Sequence, residues 1–157
     1  MTDRLALRLE VEELYADYTA ALDDGELERW PELFTAECLY EIVPRENVER
    51  GLPLALMRCE SRAMLRDRVV ALRQASVYAP RALRHLVSGI RIAGAGDVFD
   101  VRASYAVFET PLDEATRVLN VGRYLDRVTR DEGRLRFVEK RCVFDSVLVP
   151  GSLVYPL

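Results

Sequence analysis

The sequence predicts an α+β domain, with helices packed on one face of a curved antiparallel or mixed sheet. Two observations carry that prediction. Apolar residues in the first third of the chain recur at helical spacing, and from Leu83 onward the rhythm becomes a period of two. A third observation bounds it. The 157 residues contain no internal repeat and no Pro/Gly/Ser-rich linker, so one domain, 1–157, is expected, long enough to bury a full core.

Taken in order, Leu7, Val11, Leu14, Tyr15, Tyr18 and Leu22 fall on one face of a first helix, which Gly25 ends. A short second helix is expected around ELERWPELF, where Pro31 is tolerated because it falls within the first turns. CLYEIV, Cys38 to Val43, reads as a strand bounded by Pro44, and RENVERGLPL as a polar loop punctuated by Gly51 and Pro53. A third helix is expected from Ser61, its N-cap, to about Ala75, with Leu65, Val69 and Leu72 on its core side.

The second half reads as strands. Leu83 to Ile92 resembles a buried strand. In DVFDVRASYAVFE, Phe99, Val101, Ala103, Tyr105 and Val107 alternate with Asp100, Arg102 and Ser104, the pattern of one buried and one wet face. RVLNVGRYLDRV and LRFVEKRCVFDSVLV are strand-like but alternate less cleanly. Gly122 marks a bulge or a close approach by another backbone. The apolar tail SLVYPL is expected to dock.

Composition narrows the function classes. Half the residues are apolar and 31% are charged, with a net charge of −4. Arginine supplies all but one of the 22 basic residues, yet no basic run is interleaved with aromatics, which argues against a nucleic-acid partner. No apolar run approaches the roughly 20 residues of a membrane span, and the N-terminus lacks the uncharged core of a signal peptide, so the expected location is the cytosol. Cys38, Cys59 and Cys142 are scattered without ligand spacing and read as small buried hydrophobes.

Three groups are candidates for chemistry. His85 is the only histidine, on the same strand face as Leu83 and Val87. As an acid–base group it needs an orienting carboxylate, for which Asp23, Asp126 and Asp145 are available, and a concave pocket. The bland alternative is a hydrogen-bonded core histidine, and that is the reading adopted. Asp23, Asp24, Tyr40, Tyr105 and Tyr124 could supply a carboxylate–phenol pair without metal. Arg58, Arg62, Arg66, Arg68 and Arg73, near Glu60 and Asp67, form either a solvated helix face or a docking surface for a carboxylate-bearing partner. No P-loop, dinucleotide turn, nucleophile elbow or HExxH motif is present.

ALDDGELERWPELFTAECLYEI, a long helix closed by a short acidic turn and followed by Trp, Leu-Phe and a strand, resembles the signature of the NTF2-like (SnoaL-like) cone fold. RENVERGLPLALMRCESRAMLRDRVVAL, RHLVSGIRI, YAVFET, NVGRYLDRV and RCVFDS resemble, in order and spacing, the small (β) subunit of aromatic ring-hydroxylating dioxygenases, over roughly residues 8–157. Within that family the likeness is nearest to subunits serving aromatic acids, such as salicylate 5-hydroxylase, with the terephthalate and anthranilate oxygenases as cousins.

The resemblance implies a non-catalytic structural chain with no cofactor of its own. The α subunit of such systems carries a Rieske [2Fe–2S] cluster and a mononuclear Fe(II), with electrons from NAD(P)H through a separate reductase. Those two centres together take four histidines, and this chain has one. The implied assembly is a β self-trimer beneath an α trimer, α3β3. Segments Asn120–Asp126 and Arg141–Ser146, with Arg123 and Arg141, are expected in subunit contacts because their apolar pattern is mixed. Arg84-His85 matches a pair common in the family, where it is not catalytic. The competing expectation is a free-standing dehydratase, isomerase or cyclase using His85 with Asp23 and Tyr40 inside the cone. A third possibility is a binding domain of the same fold without an α partner.

Overall fold

A computed structural model describes residues 2–74, 81–146 and 155–157. Helix α1 (Thr2–Asp23) is followed by two 3-10 turns, Leu27–Arg29 and Pro31–Leu33. Strand β1 (Phe34–Pro44), helix α2 (Arg45–Glu49), strand β2 (Met57–Ser61) and helix α3 (Arg62–Gln74) come next. Four long strands follow among the described residues: β3 (Arg81–Ala93), β4 (Val98–Pro111), β5 (Arg117–Asp131) and β6 (Arg134–Phe144). They form one six-stranded sheet in the order β2-β1-β6-β5-β4-β3. Among the described residues only β1 and β6 run parallel, so the sheet is mixed.

The first helix forms as its spacing predicts. Val11, Leu14, Tyr15, Tyr18 and Leu22 are buried against the sheet, with Leu7 packed at the margin. Gly25 closes the helix at φ 71°, its N–H donating to the Leu22 carbonyl. ELERWPELF is not an α-helix. Pro31 has no N–H to continue a helical ladder, and the chain instead takes two tight turns that bury Leu27, Trp30 and Pro31.

One further expectation is corrected, and one strand is added. RENVERGLPL is not all loop, since Arg45–Glu49 makes a helical turn begun by Pro44. Met57–Ser61, unassigned above, pairs with β1 as an edge strand. Ser61 caps the third helix as expected, its Oγ accepting from the Met64 N–H at 3.1 Å, and Leu65, Val69 and Leu72 are its buried face. Ala75, its expected last residue, lies outside the described residues.

From Asn120 to Val128 strand β5 alternates strictly in burial although its sequence alternates poorly. Its inward residues include Asn120, Gly122, Tyr124, Asp126 and Val128, while Val118, Val121 and Arg123 face out. Two polar side chains, Asn120 and Asp126, sit in the core while Val118 and Val121 sit in solvent. Gly122 is a close-approach residue: a Cβ there would lie 2.0 Å from the Val143 carbonyl oxygen. The bulge falls three residues earlier, where Leu119 stands between the paired Val118 and Asn120.

The core is a chain of rings. Trp30 meets Tyr40 edge-on at 5.2 Å, Phe34 leans on Phe137 at 5.3 Å, and Tyr105 stacks on Tyr124 at 4.4 Å between centroids. Leu157 enters this cluster. Its N–H donates to the Tyr40 hydroxyl at 2.9 Å, and its carbonyl accepts from the Tyr18 hydroxyl and, at 3.2 Å, from the Cys142 thiol. The part of the tail that is described, Tyr155 to Leu157, therefore docks as expected. Ser152 to Val154 fall outside the described residues.

Candidate functional site

Two polar clusters lie on the concave side of the sheet. The first joins the end of α1 to β3, an edge strand. The backbone N–H of His85 donates to Asp23 Oδ2 at 2.8 Å, and His85 Nδ1 lies 2.5 Å from Asp23 Oδ1. One carboxylate thus fixes both the backbone and the ring of His85. Both side chains are buried, and His85 Nε2 has no hydrogen-bond partner among the described residues. Asp23 is an acid in the last turn of a helix that has no basic residue there, a position the helix dipole disfavours. Its contact with His85 is the compensation.

The second cluster went unread in the sequence. Lys140, the single lysine, is fully buried, with Nζ 2.7 Å from Asp126 Oδ2. The Tyr15 hydroxyl donates to the same oxygen, and the Arg141 N–H reaches Oδ1 at 3.3 Å. The ammonium lies 3.5 Å from the centroid of Tyr124 and within 4.6 Å of those of Tyr15, Tyr18 and Phe137. A lysine head fits here because it is a compact charge that needs one anion and accepts ring faces for the rest, whereas a guanidinium fork carries five donors. Burial pushes the Asp126 carboxyl above its ordinary value, against the pull of Lys140, Tyr15 and the Arg141 N–H. The signal was present in the composition: one lysine among arginines.

The remaining candidates disperse. Asp126 is taken by Lys140, and Asp145 pairs with the exposed Arg45 at 3.5 Å. Tyr40 holds Leu157, Tyr105 donates to Asn120 at 2.7 Å, and the Tyr124 hydroxyl has no partner among the described residues. Asp24 is exposed. Burial pushes the phenols of Tyr18, Tyr40 and Tyr124 well above their ordinary value, and the Cys142 thiol up to about 12, so all four stay protonated at neutral pH.

The arginines around α3 are engaged within the chain. Arg66 reaches Glu32 at 2.6 Å, Arg73 reaches Glu28 at 2.8 Å, Arg62 donates to the Phe34 carbonyl, and Arg58 bridges Glu41 and Glu60. Arg62, Arg66 and Arg73 bind α3 to β1 and to the 3-10 turns, while Arg58 ties β2 to β1.

For iron the donor set does not fit. The one imidazole is already held through Nδ1, and the three cysteines are separately buried. Among the described residues no three His, Cys, Asp or Glu side chains converge. Nor is any described helix long and apolar enough to cross a membrane.

The helix-on-mixed-sheet architecture is that of a SnoaL-like domain, and residues 3–141 match that family. The whole chain is 39% identical, over 98% of the relative, to the anthranilate 1,2-dioxygenase small subunit of Burkholderia cepacia. It is 33% identical over 90% of its length, and 93% of the relative, to a beta subunit of the terephthalate 1,2-dioxygenase terminal oxygenase component of a Comamonas species. A crystal structure from Novosphingobium aromaticivorans, assigned as the beta subunit of an aromatic-ring-hydroxylating dioxygenase, superposes with a TM-score of 0.89 at 40% identity, covering all of both chains. The chain belongs to the small-subunit family of aromatic ring-hydroxylating dioxygenases.

Proposed function

We propose that this chain is the non-catalytic base of a terminal oxygenase, a β self-trimer in an α3β3 hexamer. Its α partner would carry the Rieske cluster and the mononuclear iron, fed with electrons from NAD(P)H by a separate reductase. The substrate class is an aromatic acid, in keeping with the anthranilate and terephthalate of the relatives' names. In this reading no residue of the chain performs chemistry on the ring, and the protein works in the cytoplasm.

The observation that carries the reading is the outer face of the sheet. Leu86, Ala106 and Val121 stand side by side across β3, β4 and β5, with Phe108 and Val118 in the next row. Leu86 is 55% exposed, Val118 58% and Val121 43%, while Asn120 and Asp126 of the same strand are buried. Val118 and Val121 turn to solvent on a strand that buries Asn120 and Asp126, an arrangement suited to a face that becomes covered on assembly. The concave side, by contrast, is filled by the chain's own aromatic rings and Leu157, which leaves little room for substrate at its centre.

The test is to purify the tagged chain from cells that also make its α partner, and to record the visible spectrum and iron content. A red-brown eluate with a larger chain in near-equal amount and about three irons per pair supports the reading. A colourless homo-oligomer that leaves the α chain behind overturns it.

A further inference from the structure

The outer face of β3, β4 and β5 carries more positive charge than it pairs. Arg91 and Arg102 are register partners across β3 and β4, both exposed and both without an ion pair among the described residues. Two like charges side by side on one face, about 5 Å apart at Cβ, destabilise a sheet. A bulge puts them there. One extra residue stands between Ser88 and Arg91, accommodated by Gly89 at φ 64°. In unbroken register Arg91 would oppose Val101 and turn to the core side. Arg84 and Arg123, exposed on the same face, are also without an ion pair among the described residues. The carboxylates of this face are already engaged, Asp100 with Arg127 at 3.7 Å, Glu41 with Arg141 at 2.6 Å and Glu139 with Arg141 at 3.9 Å. A groove of about 510 Å³ runs among Arg91, Arg102, Leu125, Arg127 and Arg141. The whole chain carries −4, so the surplus is local.

We infer that this surface receives an acidic segment of the α chain, with one carboxylate bridging Arg91 and Arg102 and a second reaching Arg123. The inference rests on the reading of the chain as an oxygenase subunit, and adds what the partner brings to the outer face. Two guanidiniums held together call for an anion between them. The apolar row of Leu86, Ala106 and Val121 beside them suits a polypeptide rather than a free ion. The chain does not supply the acid itself. Residues 75–80 and 147–154 contain no Asp or Glu. Its carboxylates without an ion pair among the described residues are Asp3, Glu13, Asp24, Glu37, Asp67, Asp97 and Asp113. They are spread over α1, its closing turn, β1, α3 and two hairpin turns, so a second copy offers no acidic strip.

The test is capture of the α chain by the tagged chain across a salt series, with wild type and with Arg91→Gln and Arg102→Gln combined. Wild-type capture is expected to weaken as salt rises from about 50 to 500 mM. The double variant should bind about tenfold more weakly or worse, with a flatter salt dependence. On its own it should unfold at a urea midpoint equal to or above that of wild type, because the like-charge pair is gone. Arg134→Gln, at an exposed arginine on the first position of β6, removes the same kind of charge elsewhere and should capture as wild type does. Undiminished capture by the double variant overturns the inference. So does capture insensitive to salt, or a lowered urea midpoint, which makes the two arginines structural. Loss of self-association of the chain alone, read by light scattering with α capture intact, also overturns it and assigns the arginines to a second copy. A wild-type chain that captures no α partner overturns the oxygenase reading itself, and this inference with it.

Discussion

Lys140 and Asp126 form an ion pair of 2.7 Å with neither side chain exposed, in the middle of a cage of aromatic rings. Such a pair contributes little net stability but is costly to halve, because the remaining charge is left in a low-dielectric interior. Lys140→Met is therefore expected to lower the unfolding free energy by about 3–5 kcal/mol. Adding Asp126→Asn, whose amide oxygen still accepts from the Arg141 N–H while its NH2 can donate to the Tyr15 hydroxyl, should restore a large part of that loss. Urea unfolding of the two single variants and the double variant checks this, with a coupling energy of favourable sign as the expected outcome.

Glu109 gives a pH dependence. Burial alone would raise its carboxyl, but Arg81 at 2.6 Å and Arg117 at 3.1 Å outweigh it and hold the value below the ordinary 4.5. A lowered folded value means that the unfolded chain takes up the proton first as pH falls. The contribution of Glu109 is thus complete above the unfolded carboxylate range and is lost as pH drops through the folded value. Wild type should exceed Glu109→Gln by about 1–2 kcal/mol at neutral pH, and the gap should close below about pH 4. Denaturation curves at a series of pH values measure it.

Gly122 tests the sheet geometry. A Cβ there would stand 2.0 Å from a backbone oxygen of β6, an atom that no side-chain rotation can remove. Gly122→Ala should cost about 3 kcal/mol or more, or prevent folding, whereas Gly133→Ala, with nothing near the added carbon, should lose only the turn preference of its φ of 80°. Thermal melts of the two variants separate the causes.

The outer face separates assembly from stability. Arg123 is exposed and Val121 stands beside it, so Val121→Asp and Arg123→Ala should leave the subunit's unfolding free energy within about 0.5 kcal/mol while reducing hexamer formation. Arg141 behaves differently, since it pairs with buried Glu41 at 2.6 Å. Arg141→Ala should destabilise the fold itself. Light scattering and denaturation on the same samples distinguish the two effects.

The sequence carried the helix faces, the Ser61 cap and the alternating strand β4, because in each the apolar residues lie where burial puts them. It did not carry β5, where Asn120 and Asp126 point inward to Tyr105 and Lys140, and Val118 and Val121 point out. Polarity there follows hydrogen-bond partners and an unformed interface, neither of which is visible along a single strand. Asp23 could be nominated for His85 only as one of three acids, since contact between residues 62 positions apart depends on how α1 crosses the sheet. Nothing in local pattern separated Asp23 from Asp126.

The placement of Lys140 has a practical consequence. All other basic side chains are guanidinium or imidazole, so the folded protein offers acylating reagents no accessible lysine amine. Labelling at that position then clocks the opening of the interior between α1 and the sheet. In the assembled oxygenase, any lysine-to-lysine crosslink recovered would have both ends on the companion chain.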